Sequence, residues 1–179
     1  MKTSIAIIFK NGWIYGLIMA AISIVFSLLM YIFDVNLFSI TFAIFSALIF
    51  LLGIPITLAI LGCNNLRSKY AEDRTISYLD AVFTCLVIFV IGFILSNLYN
   101  YVFNTYLDPS YMKQQLVKLV EMLEKYNLPQ EQIDETIAKS EESFNLGIMF
   151  RNSAGVAVVL SLILAIFVKK KDKLEDNIL

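Results

Sequence analysis

The side chains of this chain that could do chemistry are few, and most lie inside or beside long apolar stretches. Asp80 is the one acid near the start of such a stretch, which makes it a candidate for a proton or ion relay. Ser77 and Asp80 also have the Ser-x-x-Asp spacing of a capping box, in which a hydroxyl and a carboxylate satisfy free N–H groups at a helix start. The sequence leaves both roles open, and the cap is the simpler one.

A second polar group is predicted near the opposite end of the apolar stretches. Asn97, Asn100 and Asn104 recur at helical spacing and therefore share one face of a helix. Arg151, a few residues into a later stretch, can either reach out to the membrane surface or face these amides. An arginine–asparagine cluster would either coordinate an anion or join two helices. Because Asp80 and Arg151 belong to opposite membrane faces, we expect no catalytic pair between them.

The composition removes several kinds of chemistry. The chain of 179 residues has no histidine, and its two cysteines, Cys63 and Cys85, fit neither a zinc nor a redox spacing. We expect no disulfide between them. The net charge is −1 without a basic face for phosphates, so we expect no nucleic-acid partner. Phosphate-binding loops and nucleophile elbows are also absent, and we therefore expect no cofactor, no metal and no enzymatic activity.

The apolar stretches predict how the chain is organised. Hydrophobic residues make up 59% of the chain and charged residues 16%, and four stretches are free of charge. A helix needs about 20 apolar residues to cross a hydrocarbon layer of about 30 Å. The sequence therefore predicts an all-α protein: a four-helix transmembrane bundle with an extracytoplasmic amphipathic helical hairpin between spans three and four. The predicted spans are residues 12–33, 37–61, 78–103 and 146–168, within a bundle formed by residues 1–103 and 146–179.

Basic residues near the span ends predict the orientation of the chain. Most of them belong to the side that holds both termini, whereas the other side has only Lys113 and Arg151 near the membrane. Both termini are therefore predicted to be cytoplasmic, and the insert between the third and fourth spans is predicted to face outward. The basic residues of the cytoplasmic side are Lys2, Lys10, Arg67, Lys69, Arg74, Lys169, Lys170, Lys171 and Lys173.

The insert, residues 104–145, is predicted to form two amphipathic helices. Asp108 and Pro109 are typical of an N-cap and a first helical position. Asn127 and Leu128 end this helix, and Pro129 starts the next. The apolar seam of the insert either packs inside the chain and caps the bundle, or it binds a partner or a second copy. The seam consists of Met112, Leu116, Leu119, Leu123, Tyr126, Ile133, Ile137 and Phe144.

Small residues at four-residue spacing predict the faces on which the spans pack. The pattern does not distinguish packing within the chain from dimerisation. In addition, Gly53 and Pro55 predict a kink in the second span. The small residues are Gly12, Gly16 and Ala20 in the first span and Ser153, Ala157, Ser161 and Ala165 in the fourth.

The order of these features resembles the small bacterial membrane proteins grouped as domain of unknown function 4199. The likeness consists of the glycine-spaced start of the first span at residues 10–16, the charged inner loop at residues 67–81, and the turn Leu107-Asp108-Pro109 that opens the hairpin. The resemblance implies a four-span protein of the bacterial inner (cytoplasmic) membrane, and it implies no particular activity.

These observations predict a non-enzymatic structural or interaction protein of the lipid bilayer that uses its outer hairpin to contact a membrane partner protein or a second copy. The alternative is a small oligomeric transporter or channel with a polar path near Asp80 or along Asn97, Asn100 and Asn104. A single four-helix bundle leaves little room for such a path, so transport would require several copies.

Overall fold

A computed structural model of the chain describes residues 3–70 and 75–169, and in these residues the backbone forms helices and no strand. Two π-helical segments, Ala47–Gly53 and Phe103–Leu107, join α2 to α3 and extend α4. The predicted all-α class is therefore confirmed. The α-helices are α1 (Ile5–Ile32), α2 (Ile40–Ser46), α3 (Ile54–Tyr70), α4 (Tyr78–Val102), α5 (Pro109–Lys125), α6 (Gln130–Ser143) and α7 (Leu146–Val168).

Within the described residues, four helical stretches are long and apolar enough to cross a membrane, and each overlaps one of the predicted spans. The first begins at Ile5, ahead of the predicted start at Gly12, and carries Lys10 on its exposed surface. The third continues through the second π-helical segment to Leu107, past the predicted end at Phe103. The four stretches are Ile5–Ile32, Ile40–Lys69, Tyr78–Leu107 and Leu146–Val168.

The irregular part of the second stretch lies next to the predicted kink. Seven residues, Ala47–Gly53, adopt π-helical geometry and end two positions before Pro55, where an ordinary helix would need an N–H that proline lacks. Such segments are rare and often lie at functional sites. Residues of both π-helical segments line a cavity between the insert and the bundle.

Helix α4 lies at the centre of the bundle, with α1 and α7 packed against it. A Cβ atom added to Gly12 would lie 2.7 Å from Val87, and one added to Gly16 would lie 2.8 Å from Ile91. These glycines therefore let α1 approach α4 at a distance that larger residues would prevent. Ala20 is buried further along α1. Three of the small residues predicted on α7 are also buried: Ala157, Ser161 and Ala165.

At the end of the bundle that holds the start of α1, polar side chains join neighbouring helices. Asn11 is 3% exposed, donates to the Gly62 carbonyl at 2.8 Å and accepts from Asn65 at 2.7 Å. The Lys169 ammonium lies 5.7 Å from the centre of the Tyr78 ring, which links the end of α7 to the start of α4. Lys10, Arg67 and Lys69 belong to the same end, whereas the predicted basic residues Lys2, Arg74, Lys170, Lys171 and Lys173 lie outside the described residues.

Helices α5 and α6 make up most of the insert at the opposite end. As predicted, Asp108 is the N-cap of α5, and its carboxylate accepts from the N–H groups of Ser110 and Tyr111 at 3.0 and 3.1 Å. Asn127 follows the helix with a φ of 54°, in the left-handed region that asparagine tolerates. The Leu128 N–H then donates to the Leu123 carbonyl and completes the helix end.

The centre of the predicted seam packs inside the chain. Leu119 and Leu123 of α5 and Ile133 of α6 form one buried cluster. Tyr126, by contrast, is 59% exposed. The chain itself thus covers the middle of the seam and leaves one end open. Partly buried residues around the cluster are Phe38, Leu116, Val120, Met122 and Ile137.

Candidate functional site: a cavity between the insert and the bundle

A cavity of about 610 Å³ lies where the insert meets the bundle. Its walls come from α1, α2, both π-helical segments, α4, α5 and α7, together with Leu37 before α2 and Phe144 after α6. Pockets that hold small molecules typically measure about 300–1,000 Å³. The cavity is therefore large enough for a ligand with several tens of heavy atoms or for part of a longer one.

Aromatic and methionine side chains form most of the wall. The ring of Phe26 on α1 lies 4.3 Å from that of Phe50 and 6.2 Å from that of Phe42, so aromatic contacts connect α1 with the second span. Thioether side chains have several rotatable bonds and adapt to irregular shapes. The apolar part of the cavity can consequently fit ligands of more than one shape. Its methionines are Met30, Met112 and Met149.

Uncharged hydrogen-bonding groups enter the same cavity from several helices. Among the described residues that line it, none is an aspartate, glutamate, lysine or arginine. A charged ligand group would therefore lose its water without gaining a charged partner, which is costly. The lining favours a neutral ligand. The polar lining residues are Ser23, Ser27, Ser46, Asn100, Asn104, Tyr111, Asn152 and Ser153.

Of the asparagines singled out in the sequence, Asn100 of α4 and Asn104 of the second π-helical segment line this cavity, and Asn97 lies about one turn before Asn100. Asn97 donates to the Ser153 hydroxyl at 2.8 Å and so joins α4 to α7. The amide oxygen of Asn100 accepts from the Ser27 hydroxyl at 3.2 Å and joins α4 to α1. The side-chain N–H of Asn104 donates to the backbone carbonyl of Asn100 at 2.8 Å, so the side-chain oxygen of Asn104 points away from that carbonyl.

Arg151 lies on the exposed surface of α7 rather than against these amides. The arginine–asparagine cluster considered from the sequence is therefore not what connects the helices. Asn97 makes that connection instead, through Ser153 and, at 3.3 Å, through the Met149 carbonyl.

Two residues that line the cavity each have a buried polar atom without a hydrogen-bond partner in the described part of the chain. They are the phenol oxygen of Tyr111 and the side-chain oxygen of Asn104. Tyr111 as a whole is only 7% exposed. Leaving such a group unpaired costs about 1–3 kcal/mol, so two unpaired groups on residues that line the same cavity need an explanation. A bound molecule with hydrogen-bonding groups would supply it.

The position of Tyr111 is fixed by neighbouring aromatic rings. Its ring centre lies 5.0 Å from that of Tyr31 and 6.2 Å from that of Phe103, both at nearly perpendicular angles. These edge-to-face contacts are favourable and restrict the ring. Burial raises the pKa of Tyr111 above its ordinary value, with the charge of Asp34 acting in the same direction, so the hydroxyl stays protonated at neutral pH.

Three polar contacts hold α5 and its N-cap against the end of α1 and the segment that follows it. Lys118 forms an ion pair with Asp34 at 2.6 Å, and Tyr31 donates to the Asp108 carboxylate at 3.0 Å. Gln115, which is fully buried, accepts from the Leu37 N–H at 3.0 Å. These contacts fix the start of α5, whose Tyr111 and Met112 line the cavity, against the bundle.

Asp80 lies at the other end of α4. It is fully buried in the first turn, and its N–H donates to the Ser77 hydroxyl at 3.2 Å, which is half of the predicted capping box. The Thr84 hydroxyl donates to the Asp80 carbonyl at 2.7 Å. Twenty helical residues, about 30 Å, separate Asp80 from Asn100. Asp80 and the cavity are therefore separate features.

The two cysteines meet in the core, which their sequence spacing does not indicate. Cys63 of α3 and Cys85 of α4 are both fully buried, and their sulfur atoms lie 3.9 Å apart as free thiols. They are in contact but not bonded, because a disulfide requires about 2.05 Å.

Taken with the fold, these features define a class of α-helical protein with four helices able to span a membrane and a two-helix insert over a cavity between them. The chain belongs to the family described as protein of unknown function (DUF4199), whose model matches residues 14–170. No curated protein and no solved structure matches the chain. The resemblance seen in the sequence is confirmed, and the cavity is the feature from which a function can be inferred.

Proposed function

We propose that this protein is a non-catalytic protein of the bacterial inner membrane whose insert covers a binding cavity for a small membrane-soluble molecule. The observation that carries the proposal is the cavity of about 610 Å³ with uncharged hydrogen-bonding groups. Concave, mostly apolar sites with a few convergent polar groups are the usual form of small-molecule sites. In this proposal both termini are cytoplasmic and the insert faces outward, which the basic residues at the opposite end support.

In this proposal the apolar seam of the insert packs mainly within the chain. Its central seam residues Leu119, Leu123 and Ile133 already pack inside the chain, so they favour a capping role. Contact with a partner protein or a second copy is the second candidate, and the exposure of Val117 and Tyr126, 57% and 59%, favours it. Such a contact would use the outer surface of α5 and would not compete with ligand binding.

The geometry supports binding better than passage across the membrane. Between the cavity and Asp80, the α4 side chains are tightly packed against their neighbours. Three of them have 0% exposure: Thr84, Ile88 and Phe89. A single copy therefore offers a site that opens near one face of the bundle.

Filling the cavity tests the proposal. Among the described residues the Ser23 hydroxyl donates within its own helix, to the Met19 carbonyl at 2.9 Å, so Ser23→Phe adds a ring to the cavity without breaking a described hydrogen bond between helices. We expect the protein extracted from its membrane to carry a bound small molecule in native mass spectrometry, and Ser23→Phe to lose it.

The matched control is Ala21→Phe, which adds the same ring to the exposed side of α1. It should keep the bound molecule. A wild-type protein without any bound molecule, or an equal amount in Ser23→Phe and Ala21→Phe, would refute the binding function.

A further inference from the structure

We infer that the ligand of this cavity is a neutral lipid with a free hydroxyl group at its polar end, of the diacylglycerol type, and that Tyr111 and Asn104 bind that hydroxyl. This inference rests on the proposed function and names the chemistry of its ligand.

The hydroxyl group of the ligand is inferred from the two buried polar atoms that have no hydrogen-bond partner among the described residues. Asn104 uses its amide N–H to reach the Asn100 carbonyl, so the side-chain atom left over is an acceptor that needs a donor. The Tyr111 phenol can donate and needs an acceptor. An alcohol donates and accepts at one oxygen and can satisfy both. A ketone, quinone or ester carbonyl only accepts and would leave the Asn104 oxygen unpaired.

The absence of a charge on the ligand follows from the lining. None of the described lining residues carries a carboxyl, ammonium or guanidinium group, and the ion pair that links the insert to the bundle, Lys118 with Asp34, balances its own charges. A phosphate or carboxylate placed beside Tyr111 would be buried without a counter-charge. Ordinary anionic phospholipids are therefore poor ligands even though their acyl chains would fit.

The apolar part of the ligand follows from the wall below the polar end. Between Met30 and Ser23 the cavity follows α1 for about 10 Å, past the ring of Phe26. A second, apolar cavity of about 260 Å³ between α4 and α7 shares Phe93 and Ser153 with the first. The two spaces together offer room for hydrocarbon chains directed toward the middle of the bundle, with the hydroxyl held beneath the insert.

Photolabelling of the full-length protein in phosphatidylcholine vesicles tests this inference. The probe is a diacylglycerol with a diazirine in one acyl chain, and labelled peptides are mapped after digestion. We expect labelling of α1 and α4 peptides that line the cavity. Unlabelled dioleoylglycerol should compete, whereas dioleoylphosphatidylglycerol and the methyl ether of dioleoylglycerol, which lacks the donor, should not.

The residue test uses Tyr111→Phe, which keeps the ring and its aromatic contacts and removes only the hydroxyl. We expect about a tenfold rise in the dioleoylglycerol concentration needed for competition, and Asn104→Leu should shift it in the same direction. Tyr106→Phe is the matched control, because Tyr106 is 72% exposed on the adjacent π-helical segment and should change nothing. Gel filtration and thermal unfolding verify that each variant is folded.

The outcomes separate this inference from the proposed function. Equal competition by the phosphatidylglycerol or the methyl ether would overturn it, and so would equal behaviour of Tyr111→Phe and Tyr106→Phe. If the probe fails to label the cavity while another molecule is still lost in Ser23→Phe, the ligand class is wrong and the binding function holds. If no molecule depends on Ser23, both are wrong.

Discussion

At the scale of single residues, the packing of α1 on α4 depends on glycines as much as on larger side chains. Gly16 shows this, because a Cβ atom there would lie 2.8 Å from the Ile91 side chain and 3.0 Å from the Ile88 carbonyl. The second contact is with backbone, which cannot rotate away. A Cβ atom added to Gly155 of α7, by contrast, would have no neighbouring atom within 4 Å.

We therefore expect Gly16→Leu to separate α1 from α4 and to lower stability by about 1–3 kcal/mol. Thermal unfolding in detergent, followed by circular dichroism, measures the loss as a lower midpoint. Gly155→Leu adds the same side chain to an exposed position and should leave the midpoint within error. Equal midpoints for the two variants would show that the close approach of α1 and α4 is not important.

At the scale of elements, the start of α5 connects the insert to the bundle. Hydrogen bonds from the Ser110 hydroxyl, the Tyr31 hydroxyl and the backbone N–H groups of Tyr111 and Ser110 lower the pKa of Asp108 below its ordinary value of 3.8. A carboxyl group with a lowered pKa stabilises the folded state at pH values above its ordinary pKa. That contribution is lost as the pH falls through the lower pKa of the folded state.

The first turn of α5 should accordingly open more often at acidic pH. We expect amide hydrogen exchange at Ser110 and Tyr111, corrected for the intrinsic rate, to become less protected as the pH falls below 3.8. Asp108→Asn keeps a capping side chain but cannot titrate, so this pH-dependent change should disappear in that variant. An unchanged pH profile in Asp108→Asn would assign the effect to another acid.

The elements also show how far sequence reasoning extends. Apolar length predicted the four long helices, and the Asp108-Pro109 pair predicted the start of α5, because both depend on neighbours in the chain. The π-helical segments depend on hydrogen bonds five residues apart, and no residue type requires them. Tyr111 had no distinguishing signal, since its burial and its ring contacts depend on Tyr31 and Phe103 from other elements. For the same reason, the contact of Cys63 with Cys85 could not be read from their spacing.

At the scale of the whole molecule, the proposed orientation puts the insert on the outside of the cell membrane. The two native thiols are buried, so new cysteines can report accessibility with little background. Tyr126 on the insert and Ser68 near the end of α3 are both exposed and lie at opposite ends of the molecule.

In intact cells, a membrane-impermeant maleimide should label Tyr126→Cys and not Ser68→Cys. After the cells are opened, Ser68→Cys should be labelled to the same extent. Mass spectrometry of the purified variants gives the labelled fraction. Labelling of Ser68→Cys alone in intact cells would invert the orientation and move the cavity to the cytoplasmic side.

The number of residues in the second π-helical segment determines where its side chains point in the cavity wall. Phe103–Leu107 forms a wide turn between the end of α4 and Asp108, and Asn104 sits within it while Tyr111 comes after it. A π-helical turn holds one residue more than an α-helical turn, because its N–H groups bond to carbonyls five residues back. Loss of one residue from Phe103–Leu107 would therefore leave an ordinary α-helical turn. Helices α4 and α5 would keep their register, and only the side chains of the turn, Asn104 among them, would point elsewhere.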